Sequence, residues 1–276
     1  VSSPNDDKGH VRVYRWDETS GDWSQLGADI DGDVAESKFG QSVAITDNGN
    51  RIVVGSWYTD PTKPTYEPGF ANVYDWNGIS WNLVFQIQGE PSDHTQHTGG
   101  GDHWFSWKVE ISGNGDRIAV SSKHHLEPSH FSDGGNQITY GAVKVYSWNG
   151  TTYTQLGGDI QDYPNNTLEY GHSIALSKDG NRIIIGTPRS TADNEYPNND
   201  FFSQNFGIVH VYEWDESESD WVQIGDEFQG LEDDSYLGEN VDINDDGSRI
   251  VFTSDGATRA YEWIENDQEW VNLGNY

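Results

Sequence analysis

"FGQSVAITDNGNRIVVGS" (residues 39–56) decides the fold, because the chain contains four versions of it. In each version a short alternating run leads into a glycine turn such as "DNGN", and a second apolar run such as "RIVV" follows. This is the pattern of a β-hairpin whose turn glycine takes a positive φ. Each copy, called the FG hairpin below, therefore predicts two antiparallel strands. The other copies are "FSWKVEISGNGDRIAVSS" (105–122), "YGHSIALSKDGNRIIIGT" (170–187) and "LGENVDINDDGSRIVFTS" (237–254).

A second hairpin alternates with the first and is called the Tyr-Trp hairpin. Its first strand reads Val-x-Val-Tyr-x-Trp, and its second strand begins at a Trp or Tyr after a short polar loop. Two hairpins make a four-stranded unit of about 60 residues, and radial repetition of such units is typical of a β-propeller. The first strands are "VRVYRW" (11–16), "ANVYDW" (71–76), "VKVYSW" (143–148), "VHVYEW" (209–214) and "TRAYEW" (258–263).

The predicted fold is an all-β propeller of antiparallel blades, four complete and one half, in a ring of five or more blades that is incomplete at the N-terminal side. A solenoid of stacked sheets is the rival architecture. Nine Trp residues occupy repeat positions and are assigned to packing between blades: Trp16, Trp23, Trp76, Trp81, Trp148, Trp214, Trp221, Trp263 and Trp270. Residues 1–276 are predicted to form one domain, with a half blade at 1–38 and blades at about 39–88, 89–158, 159–226 and 227–276.

The first residues, "VSSP" (1–4), align with "IGTP" (185–188). The chain is therefore expected to enter the half blade inside its second strand, without an inner strand. We expect the missing strands to come from residues outside this sequence or from another chain, so self-assembly through the incomplete blade is one predicted interaction.

Composition restricts the partners. The formal net charge is −31, which disfavours binding to nucleic acid or to an anionic membrane, since like charges repel. The chain has no Cys, which excludes disulfides, and no apolar run of the length that a membrane helix requires. We therefore predict a protein or glycan partner and no membrane insertion.

The order Phe-Gly-x-Ser-Val-Ala, then Val-Val-Gly-Ser, then Val-x-Val-Tyr resembles the FG-GAP repeat of integrin α-chain propellers and of secreted microbial and algal proteins. The resemblance implies an extracellular or cell-surface, non-catalytic module for adhesion, structure or filament assembly. Family members often carry an acidic calcium loop in the FG hairpin. Here the turns are short and an Arg follows them, so calcium binding is not transferred to them. "GHS" (171–173) aligns with "GQS" (40–42) and is interpreted as a repeat position, not as a nucleophile.

One region departs from the repeat. Its loops are predicted to lie on one face of the propeller with Trp57, and they hold most of the His residues. Imidazole suits zinc, copper or nickel, exposed Trp suits a sugar or peptide, and a solvated insertion with incidental His is the third interpretation. The candidate metal ligands are His94, His97, His103, His124, His125 and His130, and the candidate ligand-binding residues are Trp57, Trp104 and Trp107.

Acidic loops are predicted on the same face, where either calcium binding or solvation alone would explain them. The candidate calcium ligands are Asp31, Asp33, Asp233 and Asp234. No cofactor is assigned, and calcium or a transition metal are the candidates. Asn149 and Asn165 lie in glycosylation sequons. The alternative to a non-catalytic module is a metal-assisted hydrolase or lyase that acts on a polysaccharide.

Overall fold

A computed structural model describes residues 1–4, 8–33, 37–57, 69–90, 101–126, 141–161, 169–190, 205–232 and 234–274, with side chains omitted at 101–104 and 124–126. Throughout these ranges the regular structure is β-strand, and the strands pair antiparallel. None of the described residues forms a helix with the length and apolar character needed to span a membrane. The prediction of an all-β fold is confirmed.

The described residues form these strands, in chain order: β1 Ser2–Ser3, β2 His10–Val11, β3 Tyr14–Asp17, β4 Asp22–Gln25, β5 Ile30–Asp31, β6 Val43–Ile45, β7 Arg51–Ser56, β8 Phe70–Trp76, β9 Trp81–Gln88, β10 Gly101–Ile111, β11 Arg117–Leu126, β12 Ala142–Trp148, β13 Tyr153–Gln155, β14 Ser173–Leu176, β15 Arg182–Thr187, β16 Ile208–Asp215, β17 Asp220–Gln223, β18 Phe228–Gln229, β19 Val241–Ile243, β20 Arg249–Ser254, β21 Ala257–Ile264 and β22 Glu269–Asn272.

Four sheets repeat the predicted unit. Strands β6–β9, β10–β13, β14–β17 and β19–β22 each pair in sequential order, and they are called blades 1 to 4. The FG hairpin supplies the first two strands of each blade and the Tyr-Trp hairpin the last two. β18 adds a short extra pairing to β16. This arrangement confirms the four complete blades of a propeller. That residues 1–276 form a single domain stays a prediction.

The half blade contains strands β1 to β5. Ser2 pairs with Val11 as Gly186 pairs with Val209 in blade 3, so the chain does enter the half blade in its second strand. β3 and β4 form its Tyr-Trp hairpin, and β5 pairs with β2. Among the described residues, no inner strand stands in this sheet.

Within the described residues, the inner strand of blade 1 is more exposed than that of blade 2. Val43 and Ile45 of β6 are 42% and 51% exposed, whereas their counterparts Val109 and Ile111 in blade 2 are 0% and 8% exposed. The result is an apolar groove of about 560 Å³, lined also by Val13 of the half blade.

Adjacent blades are joined by two kinds of contact that recur along the chain. The Arg that begins the second strand of one blade lies over the Trp that ends the third strand of the next. An indole Nε1 in the fourth strand of one blade donates to a carbonyl of the preceding blade. The Arg–Trp pairs are Arg51–Trp148 at 5.3 Å, Arg117–Trp214 at 5.9 Å and Arg182–Trp263 at 5.7 Å from guanidinium carbon to ring centroid. The indole bonds are Trp81 to Leu26 (2.9 Å), Trp221 to Leu156 (3.0 Å) and Trp270 to Ile224 (3.1 Å).

Candidate functional site

Strand direction alternates within a blade, so inner strands begin, and second strands end, at the same face of the propeller. This face is called the upper face. At the junction of blades 2 and 3, two side chains of blade 2 and three of blade 3 meet there, and Trp57 of blade 1 adjoins them. The six residues are called the upper-face cluster: Trp57, Trp107, Lys123, Glu169, His172 and Arg189.

The backbone before β14 explains why Glu169 and His172 meet. Glu169 has φ +65° and Gly171 has φ +79°, and the amide of His172 donates to the Glu169 carbonyl at 3.0 Å. A positive φ at two positions turns the chain back on itself, so both side chains stand on one side of the turn. The counterparts of Glu169 in blades 1 and 4, Lys38 and Tyr236, also have positive φ. The turn is thus a general feature of the repeat, whereas the side chains on it are particular to blade 3.

Glu169 is the centre of the cluster. Its side chain is 9% exposed, and its carboxylate lies 3.1 Å from Lys123 Nζ, 3.1 Å from Arg189 Nη1 and 3.4 Å from His172 Nδ1. Burial acts to raise the pKa of this carboxyl, but the contact with His172 and the charges of Lys123 and Arg189 outweigh it and lower the pKa to about 2. Glu169 is therefore an ionised buried acid at neutral pH.

Lys123 is almost as buried as its partner, with a side chain that is 9% exposed. Burial lowers the pKa of its ammonium, and the charge of Glu169 opposes that shift without cancelling it. Nζ also lies 4.4 Å from the ring centroid of Trp107, in cation–π contact. Arg189, by contrast, is 54% exposed and reaches solvent. Glu169, Lys123 and Arg189 sum to one positive charge, in a chain whose net charge is −31.

Trp107 connects the two blades. Its indole Nε1 donates to the His172 carbonyl at 3.0 Å, and its ring lies 5.9 Å from the His172 ring and 5.9 Å from the Trp57 ring. The imidazole is therefore packed on one side against an aromatic ring, and its Nδ1 lies 3.4 Å from a Glu169 carboxylate oxygen without forming a hydrogen bond to it in this structure. When Glu169 accepts the Nδ1 proton, Nε2 is the basic nitrogen. Such a carboxylate–imidazole pair can take a proton from water.

The structure brings together some of the predicted site residues. Trp57 and Trp107 lie in contact, as described. The backbones of His103 and His124 pair across β10 and β11, and Asp102 pairs with His125, but these side chains and that of Trp104 lie outside the described ones. His94, His97 and His130 lie outside the described residues altogether. A metal site formed by these His residues stays a prediction.

The acidic candidates do not converge among the described residues. Asp31 lies on β5 and Asp33 just after it, both exposed, while Asp234 accepts a bond from Asn205 at 2.8 Å. Asp233 lies outside the described residues. Within the ranges that the structure describes, no three His, Cys, Asp or Glu side chains come together in a way that would hold a metal ion. Calcium binding stays a prediction.

Of the two predicted glycosylation sites, Asn149 is described and exposed. Its side-chain oxygen accepts bonds from the amides of Thr151 and Thr152, both at 3.0 Å, in the turn between β12 and β13. Asn165 lies outside the described residues. Modification at either Asn stays a prediction.

The sequence analysis did not predict four members of the upper-face cluster as site residues, although the repeat alignment contained a signal for them. These four are Lys123, Glu169, His172 and Arg189. Lys123 stands where blade 1 has Trp57 and blade 4 has Asp255. His172 was interpreted only as a repeat position. Its counterparts in the other three copies are Gln41, Trp107 and Glu239, so the position itself varies from blade to blade. Variation at positions whose backbone is constant was the signal that could have found the site.

Four sequentially paired, four-stranded antiparallel sheets define the chain as a β-propeller. The structure is similar to the periplasmic gluconolactonase PpgL of Pseudomonas aeruginosa, with a TM-score of 0.59 and 15% identity over 99% of this chain and 65% of that chain. The chain thus spans about two thirds of that protein's length. Putative 6-phosphogluconolactonases from Bacteroides uniformis and Bacteroides fragilis align with TM-scores of 0.42 and 0.39, at 12% and 11% identity, over 98% of this chain and 92% and 90% of theirs. No family model and no curated protein matches the chain.

These comparisons correct the predicted family and function. The neighbour that aligns with a TM-score of 0.59 is a gluconolactonase, not an FG-GAP repeat protein of the integrin type, so the resemblance was wrong. The physical reason lies in the motif: its Phe, Gly and Arg positions serve turns and blade packing, which unrelated propellers also need. The predicted non-catalytic module for adhesion, structure or filaments is contradicted by the same neighbour, which is named as an enzyme. The alternative, polysaccharide cleavage, is corrected on the same ground.

Proposed function

We propose that this protein hydrolyses a lactone, with the upper-face cluster as its active site. The observation that carries the proposal is the Glu169–His172 pair between two cationic groups, on a propeller whose fold is shared with a gluconolactonase. Ester hydrolysis needs a base for water and a positive environment for the oxyanion. The cluster offers both, and the name of the neighbour suggests a sugar lactone as the substrate.

In the proposed reaction, His172 Nε2 takes a proton from water as the water oxygen bonds to the lactone carbonyl carbon. Glu169, ionised and buried, stabilises the imidazolium that forms. The negative charge that develops on the carbonyl oxygen is favoured by the positive charges of Arg189 and Lys123. When the carbonyl re-forms, the ring C–O bond breaks, and the imidazolium returns its proton to the leaving alkoxide. The product is the open hydroxy acid.

The two indoles have different roles in this proposal. Trp107 positions Lys123 and His172 through its ring and Nε1 contacts. Trp57, which is half-buried, offers an apolar face on which a sugar ring can stack. The steps proposed above use only side chains of this cluster and water.

The proposal extends to location. The periplasmic origin in the name of the neighbouring gluconolactonase and the acidity of this chain support a place outside the cytoplasm, at the cell surface or beyond. Fractionation of the native host, with the protein detected by antibody, tests this. Recovery with cytoplasmic markers would contradict it.

Hydrolysis of glucono-δ-lactone, followed by acid release with a pH indicator, tests the activity. The wild-type chain should accelerate it above the spontaneous rate, and His172→Gln should lower kcat by about 100-fold or more, the usual contribution of a general base. Gln is a conservative choice, because Gln41 occupies the same repeat position. His10→Gln in the half blade is the matched control and should leave the rate unchanged. A wild-type rate equal to buffer, or a His172→Gln rate equal to wild type, would overturn the proposal.

A further inference from the structure

Arg189 of the upper-face cluster differs from the arginines that pair with acids within a blade. Arg12 and Arg51 each bind an aspartate with two nitrogens, Nε and Nη2, at 2.6–2.9 Å. Arg189 gives Glu169 only its Nη1, at 3.1 Å, and its side chain is 54% exposed. Among the described residues, its Nε and Nη2 have no acceptor. The edge of the guanidinium that binds carboxylates elsewhere in this chain is therefore open to solvent.

This open edge lies close to the proposed catalytic base. Arg189 Nη1 and His172 Nδ1 approach different oxygens of the Glu169 carboxylate, at 3.1 Å and 3.4 Å. One carboxyl group therefore separates the guanidinium from the imidazole, a spacing that a six-carbon sugar lactone can bridge. Arg189 is thus placed to contact the end of the substrate that is remote from the reacting carbonyl.

The charge of the cluster matches a single anion. Apart from His172, Lys123 and Arg189 contribute two positive charges and Glu169 one negative charge, so one positive charge remains. The chain as a whole carries −31, so an anionic substrate needs a local cation to overcome repulsion. A carboxylate would neutralise the remaining charge. A phosphate ester carries about −1.5 to −2 near neutral pH and would leave an excess of negative charge in an acidic protein.

We propose that the lactone hydrolysed at the upper-face cluster carries a carboxylate, which Arg189 binds through its Nε and Nη2. This inference rests on the proposed hydrolysis and names the class of its substrate, the monolactone of an aldaric acid, which is a sugar with a carboxyl group at each end. The planar guanidinium matches the two oxygens of a carboxylate in a fork of parallel hydrogen bonds. The bound carboxylate takes no part in the reaction, so ring opening yields the free diacid.

Two lactones that differ in one group test the inference. The γ-lactone of D-glucaric acid has a carboxylate at C6, where the γ-lactone of D-gluconic acid has a hydroxymethyl group. Wild type should hydrolyse the glucaric lactone with a kcat/KM about 10- to 100-fold higher than that of the gluconic lactone, the range expected for hydrogen bonds to charged groups.

Two variants of Arg189 separate its charge from its shape. Arg189→Gln should abolish the preference for the glucaric lactone, mainly by raising its KM, and Arg189→Lys, which keeps the charge but not the fork, should retain part of the preference. The rate with the gluconic lactone reports whether each variant still folds and reacts. Arg15→Gln is the matched control, because Arg15 is exposed on β3 of the half blade, and its preference should equal that of wild type. A role of Arg189 in stability alone would lower both rates together and leave their ratio unchanged.

Binding of the carboxylate can be measured without hydrolysis. D-Glucuronate is a sugar acid without a lactone ring, and D-glucose is its uncharged counterpart. In isothermal titration calorimetry, wild type should bind glucuronate at least about tenfold more tightly than glucose, and Arg189→Gln should bind the two sugars equally.

The two measurements distinguish failure of the inference from failure of the proposed function. Equal kcat/KM for both lactones, a preference that Arg189→Gln keeps, or a higher kcat/KM for 6-phosphogluconolactone would overturn the inference while lactone hydrolysis stands. If neither lactone is hydrolysed but glucuronate binds through Arg189, the proposed reaction is wrong and the carboxylate site stands. If glucuronate binds no better than glucose, the carboxylate site is overturned whatever the rates.

Discussion

Replacing Glu169 by Gln removes the charge at the centre of the upper-face cluster while keeping its shape. The pKa of this carboxyl lies at about 2 against an ordinary 4.5, which corresponds to about 3 kcal/mol in favour of the folded state when the group is ionised. Solvent reaches the cluster through Arg189, which is 54% exposed, and screening reduces this contribution to about 2 kcal/mol. The substitution also leaves Lys123 buried without its counter-charge, so we expect a total loss of about 2–4 kcal/mol at pH 7.

The dependence on pH has a definite sign. The folded pKa is lower than the unfolded one, so the stabilisation is complete above about pH 4.5 and is lost as the pH falls toward 2. The difference in unfolding free energy between wild type and Glu169→Gln should therefore be large at pH 7 and shrink steadily below pH 4.5. Urea denaturation measures the unfolding free energy of each protein at each pH, and the 12 Trp of the chain provide the fluorescence signal.

Glu218→Gln is the control for the same chemical change, because Glu218 lies exposed in the turn between β16 and β17 of the same blade. It should alter stability by less than about 0.5 kcal/mol. Lactone hydrolysis provides a second readout: Glu169→Gln should lower kcat more than it changes KM, because the lost charge stabilises an imidazolium that forms only during reaction. Equal unfolding midpoints at pH 7, or a difference that persists unchanged at pH 2, would refute the reasoning.

Two further predictions concern the blade interiors. Burial, with a smaller contribution from Asp242, raises the pKa of Glu110 on β10 to about 7, so the wild type loses stability as the pH rises from about 4.5 to 7. Glu110→Gln should escape this loss. Its unfolding free energy, measured by urea denaturation, should exceed that of the wild type by up to about 3 kcal/mol at pH 8 and by nothing at pH 4. Gly186→Ala should lower the unfolding free energy by about 2–4 kcal/mol, because a Cβ there would overlap the carbonyl oxygen of Gly238 in blade 4. Gly158→Ala is the control and should be neutral, because its Cβ would meet only Asp220, at 3.6 Å. Thermal unfolding measures both variants.

The strand pairing could be predicted because the constant turn of each hairpin fixes which residues face each other on its two strands. Four FG hairpins and five Tyr-Trp hairpins with constant turns leave few alternatives for pairing, and the alignment of Val1 to Pro4 with Ile185 to Pro188 located the half blade. The burial of each Trp could not be predicted from the repeat alone. Trp23 and Trp221 occupy the same repeat position but are 61% and 7% exposed, because the structure packs neighbouring residues against them to different extents.

The function was predicted wrongly for the same reason that the fold was predicted well. The constant positions of the repeat are turn glycines and interface Arg and Trp, which every blade needs and which therefore carry no information on chemistry. The residues of the proposed site lie at positions where the backbone repeats but the side chain does not: Glu169 at a positive-φ corner, His172 just before an inner strand and Lys123 in the second half of a second strand. None is unusual alone. They lie together because two adjacent blades bring the start of one FG hairpin and the end of another to the same face, and only the packing of those blades makes the side chains neighbours.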